Sequence, residues 1–486
     1  MSPQNHPQAV SLSKLTKIRL FLIYSFPVVL FCSYFPRIPI ISTASTNYEL
    51  SLPLIWLLLF SVLSVKDFLT SIYNIYKRRP FYLILFIFPI YLTLTTLWSI
   101  NPLRAIMTAG IFWCLIITNV VIFTTFCPQK LIDSHKLLKI FFYATTAFCI
   151  VCWFQSILDV IGTPRDITLL CLGCTSRTFG FPHPSGLTIE PQFMGNLLIA
   201  PTLTAIYLWT KPKLTTPALF SRKTLLAFSF VFSSTLFLTF SRGAIYSFGI
   251  GLIILIIVNL AKLKNRHISK TIPLLVISGI FVILAQGLFS AVSYTDSTFL
   301  GGIEKSISQM TLGKINLNLE QKSESSTTNP PTTNQVAPET NSTPPIFDGY
   351  VEESTNTRLN FNRIALELSS KNATSLLFGY GLGSAGEVMF REGKTTTPYE
   401  IVQNEYLSLL LETGIAGIIL ATISVAMLFM YFKKNNRPKH FLLRAIIISF
   451  LCSLLFFSGL PNALHIYLFP AFIVIILPPL SLRHRS

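Results

Sequence analysis

Charged residues are scarce in this chain of 486 residues: Asp, Glu, Lys and Arg make up 12%, while hydrophobic residues make up 51%. A soluble domain carries roughly 25% charged residues, so a water-facing surface of ordinary composition is excluded. The apolar residues fall in runs that approach the ~20 residues needed to cross a ~30 Å hydrocarbon layer. Because lipid offers the backbone no hydrogen bonds, runs of this length are expected to be helices. The sequence therefore predicts an integral membrane protein.

The apolar runs predict an all-α fold of about twelve transmembrane helices. The predicted spans are 18–36, 50–66, 81–99, 105–126, 140–160, 190–209, 224–240, 243–261, 271–292, 415–432, 441–460 and 466–481. They divide the chain into three parts. Residues 1–292 hold nine helices with short loops, 293–414 form one large extracytoplasmic region before the third-last helix, and 415–486 hold the last three helices and a cytoplasmic C-terminus.

The net charge of +18 is distributed asymmetrically about these spans. With the N-terminus inside, cytoplasmic segments and the cytoplasmic ends of the spans hold 25 of the 38 Lys and Arg residues, short outside loops hold five, and the long outside region holds eight. This asymmetry is the positive-inside rule, and it predicts both termini in the cytoplasm. No basic stripe is interleaved with aromatic residues, so nucleic acid is not an expected partner.

Cysteine is sparse, and the chain has no set of metal-ligating residues with the spacing of a zinc site. Of eight cysteines, only Cys171 and Cys174 fall in a predicted outside loop, where an oxidising compartment would favour a local disulfide. The first apolar run lacks a small-residue cleavage site and is therefore expected to be the first span rather than a signal peptide. No metal and no cofactor are predicted.

The large outside region is predicted to alternate between order and disorder. Residues 318–346 are rich in Thr, Asn, Pro and Ser and are expected to be a flexible insertion. Helical apolar spacing returns at 355–370, and a glycine-rich turn follows at 378–386. Residues 401–413 then predict a short amphipathic helix that Gly414 ends.

Common catalytic motifs are absent from the sequence: it has no Walker loop and no dinucleotide-binding glycine fingerprint. Arginines are present at the predicted outer face, where the topology rule selects against them. A guanidinium stays charged and binds phosphate oxygens through two parallel hydrogen bonds, so a lipid-linked diphosphate is a suitable ligand. The alternative is that each arginine reaches lipid head groups or pairs with an acid such as Glu190 or Glu367. The candidate diphosphate-binding residues are Arg177, Arg242, Arg358 and Arg363.

Several segments in these same regions resemble a known family. They read LWSINPLRAI at 97–106, SRTFG and GLTIEPQFMGNLL before and within the sixth span, LTFSRGA at 238–244, TRLNFNRIAL and LLFGYGLGSAG within 357–386, and QNEYLSLLLETGIAGIIL at 403–420. Their order and placement are similar to the O-antigen polymerase and ligase superfamily of polytopic membrane proteins. The resemblance implies a polyprenyl-diphosphate-linked glycan donor, a glycan acceptor, and transfer with inversion and without a metal at the outer face of a bacterial cytoplasmic membrane. Candidate protein partners are a chain-length regulator and a flippase.

One residue departs from the pattern of the family's ligases, which carry His-Asn where this chain has Gln403-Asn404. That His is implied to activate the acceptor hydroxyl, whereas Gln cannot take up a proton. Gln403 and Asn404 are therefore expected to orient the acceptor sugar, and Glu190 or Glu405 is expected to serve as the base. Glu190 before a proline could equally be a helix N-cap.

These observations favour a glycosyltransferase that polymerises lipid-linked oligosaccharide repeat units into a surface polysaccharide. One alternative within the family is a ligase that moves a finished glycan onto a lipid or protein acceptor. A second alternative, from another class, is a transporter without chemistry. A transporter is expected to carry ionisable residues at mid-membrane, and the predicted spans contain almost none.

Overall fold

The computed structural model describes most of the chain between residues 13 and 476. The described ranges are 13–33, 37–42, 47–78, 80–126, 131–160, 183–188, 190–210, 219–260, 271–292, 298–311, 350–398, 400–433, 438–457 and 464–476. The predicted insertion at 318–346, Arg177, Cys171 and Cys174 lie outside the described residues.

Helices dominate the described residues. The first group is α1 (Lys14–Phe31), α2 (Leu52–Arg78), α3 (Ile87–Thr95), α4 (Pro102–Val121), α5 (Ser134–Val160), α6 (Pro191–Thr210), α7 (Arg222–Leu238), α8 (Arg242–Leu260) and α9 (Thr271–Val292). The second group is α10 (Phe299–Met310), α11 (Tyr350–Ser369), α12 (Ala373–Phe378), α13 (Ala385–Arg391), α14 (Glu405–Lys433), α15 (Pro438–Ser453) and α16 (Leu464–Ile476). A 3₁₀ helix at Pro80–Phe86 leads into α3, and a π-helical turn at Ile122–Phe126 follows α4.

A helix lies at each of the predicted spans. Six helices in the described ranges are long and apolar enough to cross a membrane: Leu52–Arg78, Pro102–Phe126, Ser134–Leu158, Pro191–Thr210, Thr271–Val292 and Glu405–Met427. Shorter apolar helices occupy Pro80–Thr95, Arg242–Ile257, Phe441–Ser453 and Leu464–Ile476. An integral membrane protein is therefore confirmed, while the number of spans and the sidedness of the loops stay predictions.

The predicted helical fold is confirmed for most of the described residues, and one pair of short strands accompanies the helices. Strands β1 (Arg37–Ser42) and β2 (Asn47–Ser51) form an antiparallel pair directly after α1. β1 reads Arg-Ile-Pro-Ile-Ile-Ser, and β-branched isoleucines favour extended backbone. Among the described residues, the first helix is therefore followed by an antiparallel strand pair.

Helix α6 lies at the centre of the bundle. Every residue from Phe193 to Thr210 is buried, and α6 packs against α7, α8 and α15. By contrast, α9 exposes a series of large apolar side chains: Ile272, Val276, Ile277, Ile280, Phe281, Leu284, Leu288 and Val292. Apolar exposure on this scale is typical of a surface that faces lipid. Because α6 is shielded from that surface, it is placed to carry functional groups.

The amino ends of α6, α8, α14 and α16 gather around one end of α15. Helix α15 ends at Ser453 and continues as a turn at 454–456. The Leu454 carbonyl accepts the Glu405 N–H, and the Phe456 carbonyl accepts the Gln192 side-chain amide. The following Phe457 ring stacks on His465 of α16. We call this end of the bundle the site end.

Candidate functional site

Glu190 occupies the N-cap position of the central helix. Its carbonyl accepts the N–H groups of Phe193 and Met194 at 3.0 and 3.4 Å, and Pro191 takes the first helical position. The predicted N-cap role is therefore confirmed, and the α6 amino end also favours a negative charge there. The Glu190 side chain keeps an exposed edge. Partial desolvation by the surrounding protein raises the Glu190 pKa above its usual value, and the charge of Arg358 opposes that rise.

Arg358 lies opposite this helix end. Its guanidinium donates to the Gln192 side-chain oxygen at 3.4 Å, and its charge acts on the Glu190 carboxylate. The Gln192 amide in turn donates to the Phe456 carbonyl at 2.8 Å. Gln192 therefore bridges α11 and α15 across the amino end of α6. An arginine and a carboxylate are thus brought together from segments 168 residues apart in number, at 190 and 358.

Arg242 begins α8 after a turn of three residues, as the sequence predicts. Phe240 in that turn has a φ of 47°, a left-handed conformation that is uncommon for a bulky residue. A Cβ on Gly243 would lie 2.7 Å from the Phe456 Cβ, so the start of α8 packs closely on the 454–456 turn. Arg242 therefore enters the site end beside the residue whose carbonyl holds Gln192.

His183 and His465 pack as interior residues. The His183 Nδ1 donates to the Thr239 carbonyl at 3.2 Å. Burial, together with the charge of Arg242, lowers the His183 pKa to about 3, against the opposing effect of that hydrogen bond, so the ring is neutral at physiological pH. His465 is 1% exposed and lies between the rings of Phe450 and Phe457.

Gln403, Asn404 and Glu405 form the start of α14. The Asn404 side-chain oxygen accepts the N–H groups of Tyr406 and Leu407 at 3.0 and 3.2 Å, which makes it the N-cap of this helix. Glu405 accepts a hydrogen bond from the Tyr467 hydroxyl at 3.4 Å and is tied to α15 through its own N–H. Gln403 precedes the cap and is half-buried. Of this group, Glu405 therefore holds its carboxylate at the site end.

Arg363 lies apart from the other arginines. It follows Arg358 by five residues, a rotation of about 140° around a helix, and it is exposed. Its charge acts on Glu367, whose carboxylate pairs with Lys394 at 2.9 Å. The structure brings Glu190, Arg242, Arg358 and Glu405 together around the 454–456 turn and leaves Arg363 on another face of α11.

Two residues at the site end, Gln192 and Phe456, were not predicted from the sequence. Gln192 falls in the resembling stretch GLTIEPQFMGNLL, two residues after Glu190, but an uncharged amide gave no chemical signal. Phe456 acts through its backbone carbonyl and its packing on Gly243. Because every residue has a backbone carbonyl, the residue type does not reveal such a role.

The fold and site define a polytopic membrane protein with arginines and carboxylates clustered at one end of a helix bundle. Residues 227–422, from within α7 to within α14, match the family model described as O-Antigen ligase. This match confirms the resemblance of that part of the chain to the O-antigen ligase and polymerase superfamily, whose members are glycosyltransferase-like enzymes. No match was found among curated proteins. Arg242, Arg358 and Glu405 lie within the matched residues, and Glu190 precedes them.

Proposed function

We propose that the protein transfers a glycan from a polyprenyl-diphosphate-linked donor to a sugar hydroxyl at the outer face of the cytoplasmic membrane. The observation that carries this proposal is the placement of Arg358 at the amino end of the central helix, where it donates to Gln192 and its charge acts on Glu190. Arg242 adds a second guanidinium at the start of α8. Two guanidinium groups beside two helix amino ends suit a diphosphate dianion.

The reaction divides between the arginines and a carboxylate. The acceptor hydroxyl oxygen attacks the anomeric carbon on the face opposite the diphosphate, and the bond from that carbon to the diphosphate oxygen breaks. The carboxylate takes the hydroxyl proton, and the leaving diphosphate keeps the bonding electrons. Inversion follows from attack on the opposite face. Arg242 and Arg358 stabilise the growing negative charge, a contribution of about 3 kcal/mol per fixed donor.

Two carboxylates are candidates for the base. Glu190 has the raised pKa, which makes it a stronger base than an ordinary glutamate, and it lies next to Arg358. Glu405 is held by Tyr467 on the other side of the 454–456 turn. We assign the base to Glu190, and we assign acceptor orientation to Gln403 and the Asn404 amide nitrogen. Arg177, outside the described residues, is proposed as a third diphosphate ligand.

The proposed outcome of this chemistry is polymerisation of repeat units. Gln403 supports polymerisation because the position that carries His in the family's ligases cannot take a proton here. A ligase is the second candidate, and the description of the matched family favours it. We propose the same membrane setting for both, with cytoplasmic termini and residues 293–414 outside, on the basis of the charge asymmetry.

Reconstitution with a single lipid-linked repeat unit separates these candidates. The protein is placed in liposomes with polyprenyl-diphosphate-linked oligosaccharide, and the products are resolved by gel. A polymerase is expected to give a ladder and to release polyprenyl diphosphate from the donor alone. Release only after a second, chemically different acceptor is added would establish a ligase. No release with any acceptor would exclude both.

A further inference from the structure

Two of the stretches that resemble the family hold no residue with a proposed chemical role. They are 97–106, at the start of α4, and the glycine-rich turn 378–386 between α12 and α13. The structure joins them: the Ser99 hydroxyl donates to the Leu382 carbonyl at 2.8 Å, although 283 positions separate the two residues. Both stretches lie close to Glu412, in the first part of α14.

The glycine-rich turn is in backbone contact on two sides. Gly379 and Gly381 have φ values of 71° and 91°, a region that favours glycine. A Cβ on Gly381 would lie 2.3 Å from the Ser99 Cα, and a Cβ on Gly379 would lie 2.4 Å from the Glu412 carbonyl. No side chain fits at either place. The turn is therefore wedged between the start of α4 and α14.

Glu412 holds this turn through both its backbone and its side chain. Its carbonyl accepts the Gly381 N–H at 2.8 Å. Its carboxylate accepts the Ala385 N–H at 3.3 Å and the Gly383 N–H, and the charge of Arg104 acts on it from α4. The Glu412 side chain therefore contacts the turn and lies within reach of the Arg104 charge on α4 at once.

The glycine-rich turn belongs to the same segment as α11, the helix that contains Arg358. Helices α11 and α13 share a small apolar core with the first part of α14, and α12 packs on α14 as well; the members of the core include Ile364, Ala365, Leu368, Val388, Met389 and Leu411. We call α11–α13 the cap unit. Leu382, within the turn, packs instead with Leu92 and Ala105 of α3 and α4. The turn thus docks the cap unit onto these membrane helices, at a distance along the chain from Arg358.

We propose that Glu412 is a positioning residue: by docking the turn on α4, it sets where the cap unit places Arg358 over the amino end of α6. The proposal rests on the proposed role of Arg358 for its effect on catalysis, but the docking itself does not. Replacing Glu412 with Gln removes the charge and keeps the shape, so the cap unit is expected to shift while the protein still folds.

A double-mutant cycle tests the catalytic part. Glu412→Gln is expected to lower kcat about tenfold in the otherwise native protein. In an Arg358→Ala background it is expected to cause little further loss, because residues that act through one another are not additive. Ser99→Ala, which removes the bond to Leu382 and the one that Ser99 accepts from the Asn101 N–H, is expected to show the same pattern at smaller size. Full additivity of Glu412→Gln and Arg358→Ala would overturn the proposal.

Cross-linking tests the docking without any activity. Cysteines are placed at Gln192 and Arg358 in the full-length protein, and a short bifunctional thiol reagent joins them; peptide mapping measures the yield. Glu412→Gln is expected to lower the yield several-fold, and Ser99→Ala to lower it less. Glu387→Gln is the control, because Glu387 pairs with exposed Arg391 on the cap unit surface.

The two readouts separate the inference from the proposed function. An unchanged cross-link yield in Glu412→Gln overturns the docking role. A reduced yield in that variant, together with native activity in Arg358→Ala, keeps the docking role and removes the diphosphate role of Arg358. A thermal unfolding curve in detergent shows that each variant is folded before either measurement is made.

Discussion

Arg358 and Arg391 are arginines on neighbouring helices with different surroundings. Arg358 is half-buried and faces Gln192 and Glu190 at the amino end of α6. Arg391 is exposed and pairs with Glu387 one turn earlier in α13. An exposed pair of this kind contributes little, roughly 0.3–0.5 kcal/mol. The two positions therefore make a matched test of guanidinium geometry.

Arg358→Lys is expected to lower the transfer rate about ten- to hundredfold, which corresponds to roughly 1.4–3 kcal/mol of transition-state stabilisation. Lysine keeps the charge but loses the paired donors that match a diphosphate. Arg391→Lys is the control and is expected to give native product ladders. Product length on a gel, from cells with matched membrane levels of each variant, makes the comparison. Native ladders from Arg358→Lys would remove the diphosphate role from Arg358.

The proposed base, Glu190, predicts the direction in which the transfer rate changes with pH. A glutamate base acts in its ionised form, so the rate falls as the pH is lowered through its pKa. Partial desolvation raises the Glu190 pKa, so this fall is expected to begin at a higher pH than for an ordinary glutamate. The pH–rate profile of reconstituted enzyme measures it. Glu190→Gln is expected to lose most activity and the acidic limb, whereas loss of that limb in Glu405→Gln would make Glu405 the base.

Helix α14 contains a break at Gly414. Its φ and ψ are 65° and −171°, which no helix allows, and it divides the segment of 405–413 from the apolar continuation. A Cβ at Gly414 would lie 2.3 Å from the Leu377 carbonyl, so α12 approaches the break through its backbone. The break therefore lets α14 turn while it receives the cap unit.

Gly414→Ala is expected to lower thermal stability far more than Gly393→Ala. Both residues have φ near 65°, which costs a side chain about 1–2 kcal/mol. Gly393 has open space around its Cβ position, whereas Gly414 also clashes with backbone. Gly393→Ala therefore measures the cost of a positive φ in open space, and the excess in Gly414→Ala measures the clash together with the cost of its ψ of −171°. Thermal unfolding in detergent measures the stability of both variants. Equal losses of stability in Gly414→Ala and Gly393→Ala would show that α12 moves aside freely.

The sequence predicted individual elements better than the contacts between them. Apolar runs located the helices, and Gly414 located the break in α14, because both signals are local. The strand pair at 37–42 and 47–51 was missed because it directly follows an apolar run. The role of Glu412 was not predicted, since its contacts with 381–385 depend on how distant segments pack. Asn404 was expected to orient the acceptor sugar, which stays a prediction, and the N-cap role of its side-chain oxygen was not predicted.

The prediction of the candidate site was limited in the same way. Glu190, Arg242, Arg358 and Glu405 were chosen by type and by predicted side of the membrane, and they do meet around one turn of chain. Arg363 was chosen by the same reasoning and lies on another face of α11. The side of the membrane on which a residue lies can be predicted from the distribution of charge. The face of the helix on which it lies depends on which apolar face packs against neighbouring helices.

At the scale of the whole molecule, the charge asymmetry predicts a definite topology. Reporter fusions at Lys264 and Lys434 are expected to read cytoplasmic, and a fusion near Thr332 is expected to read external. Short loops rich in Lys and Arg resist translocation, which is the physical reason. An alkaline phosphatase and green fluorescent protein pair reports both sides in living cells. An external signal at Lys434 would overturn the twelve-span arrangement.

The burial of α6 has a consequence for how the protein is made. Among the six candidate spans, α6 has the lowest mean hydropathy, and protein rather than lipid surrounds it from Phe193 onwards. During synthesis, however, α6 emerges before α7, α8 and α15, the helices that enclose it. A helix of low hydropathy partitions weakly into lipid on its own. Stable membrane integration of α6 therefore depends on segments translated later, so the proposed catalytic carboxylate at its amino end reaches its final depth only when the chain is nearly complete.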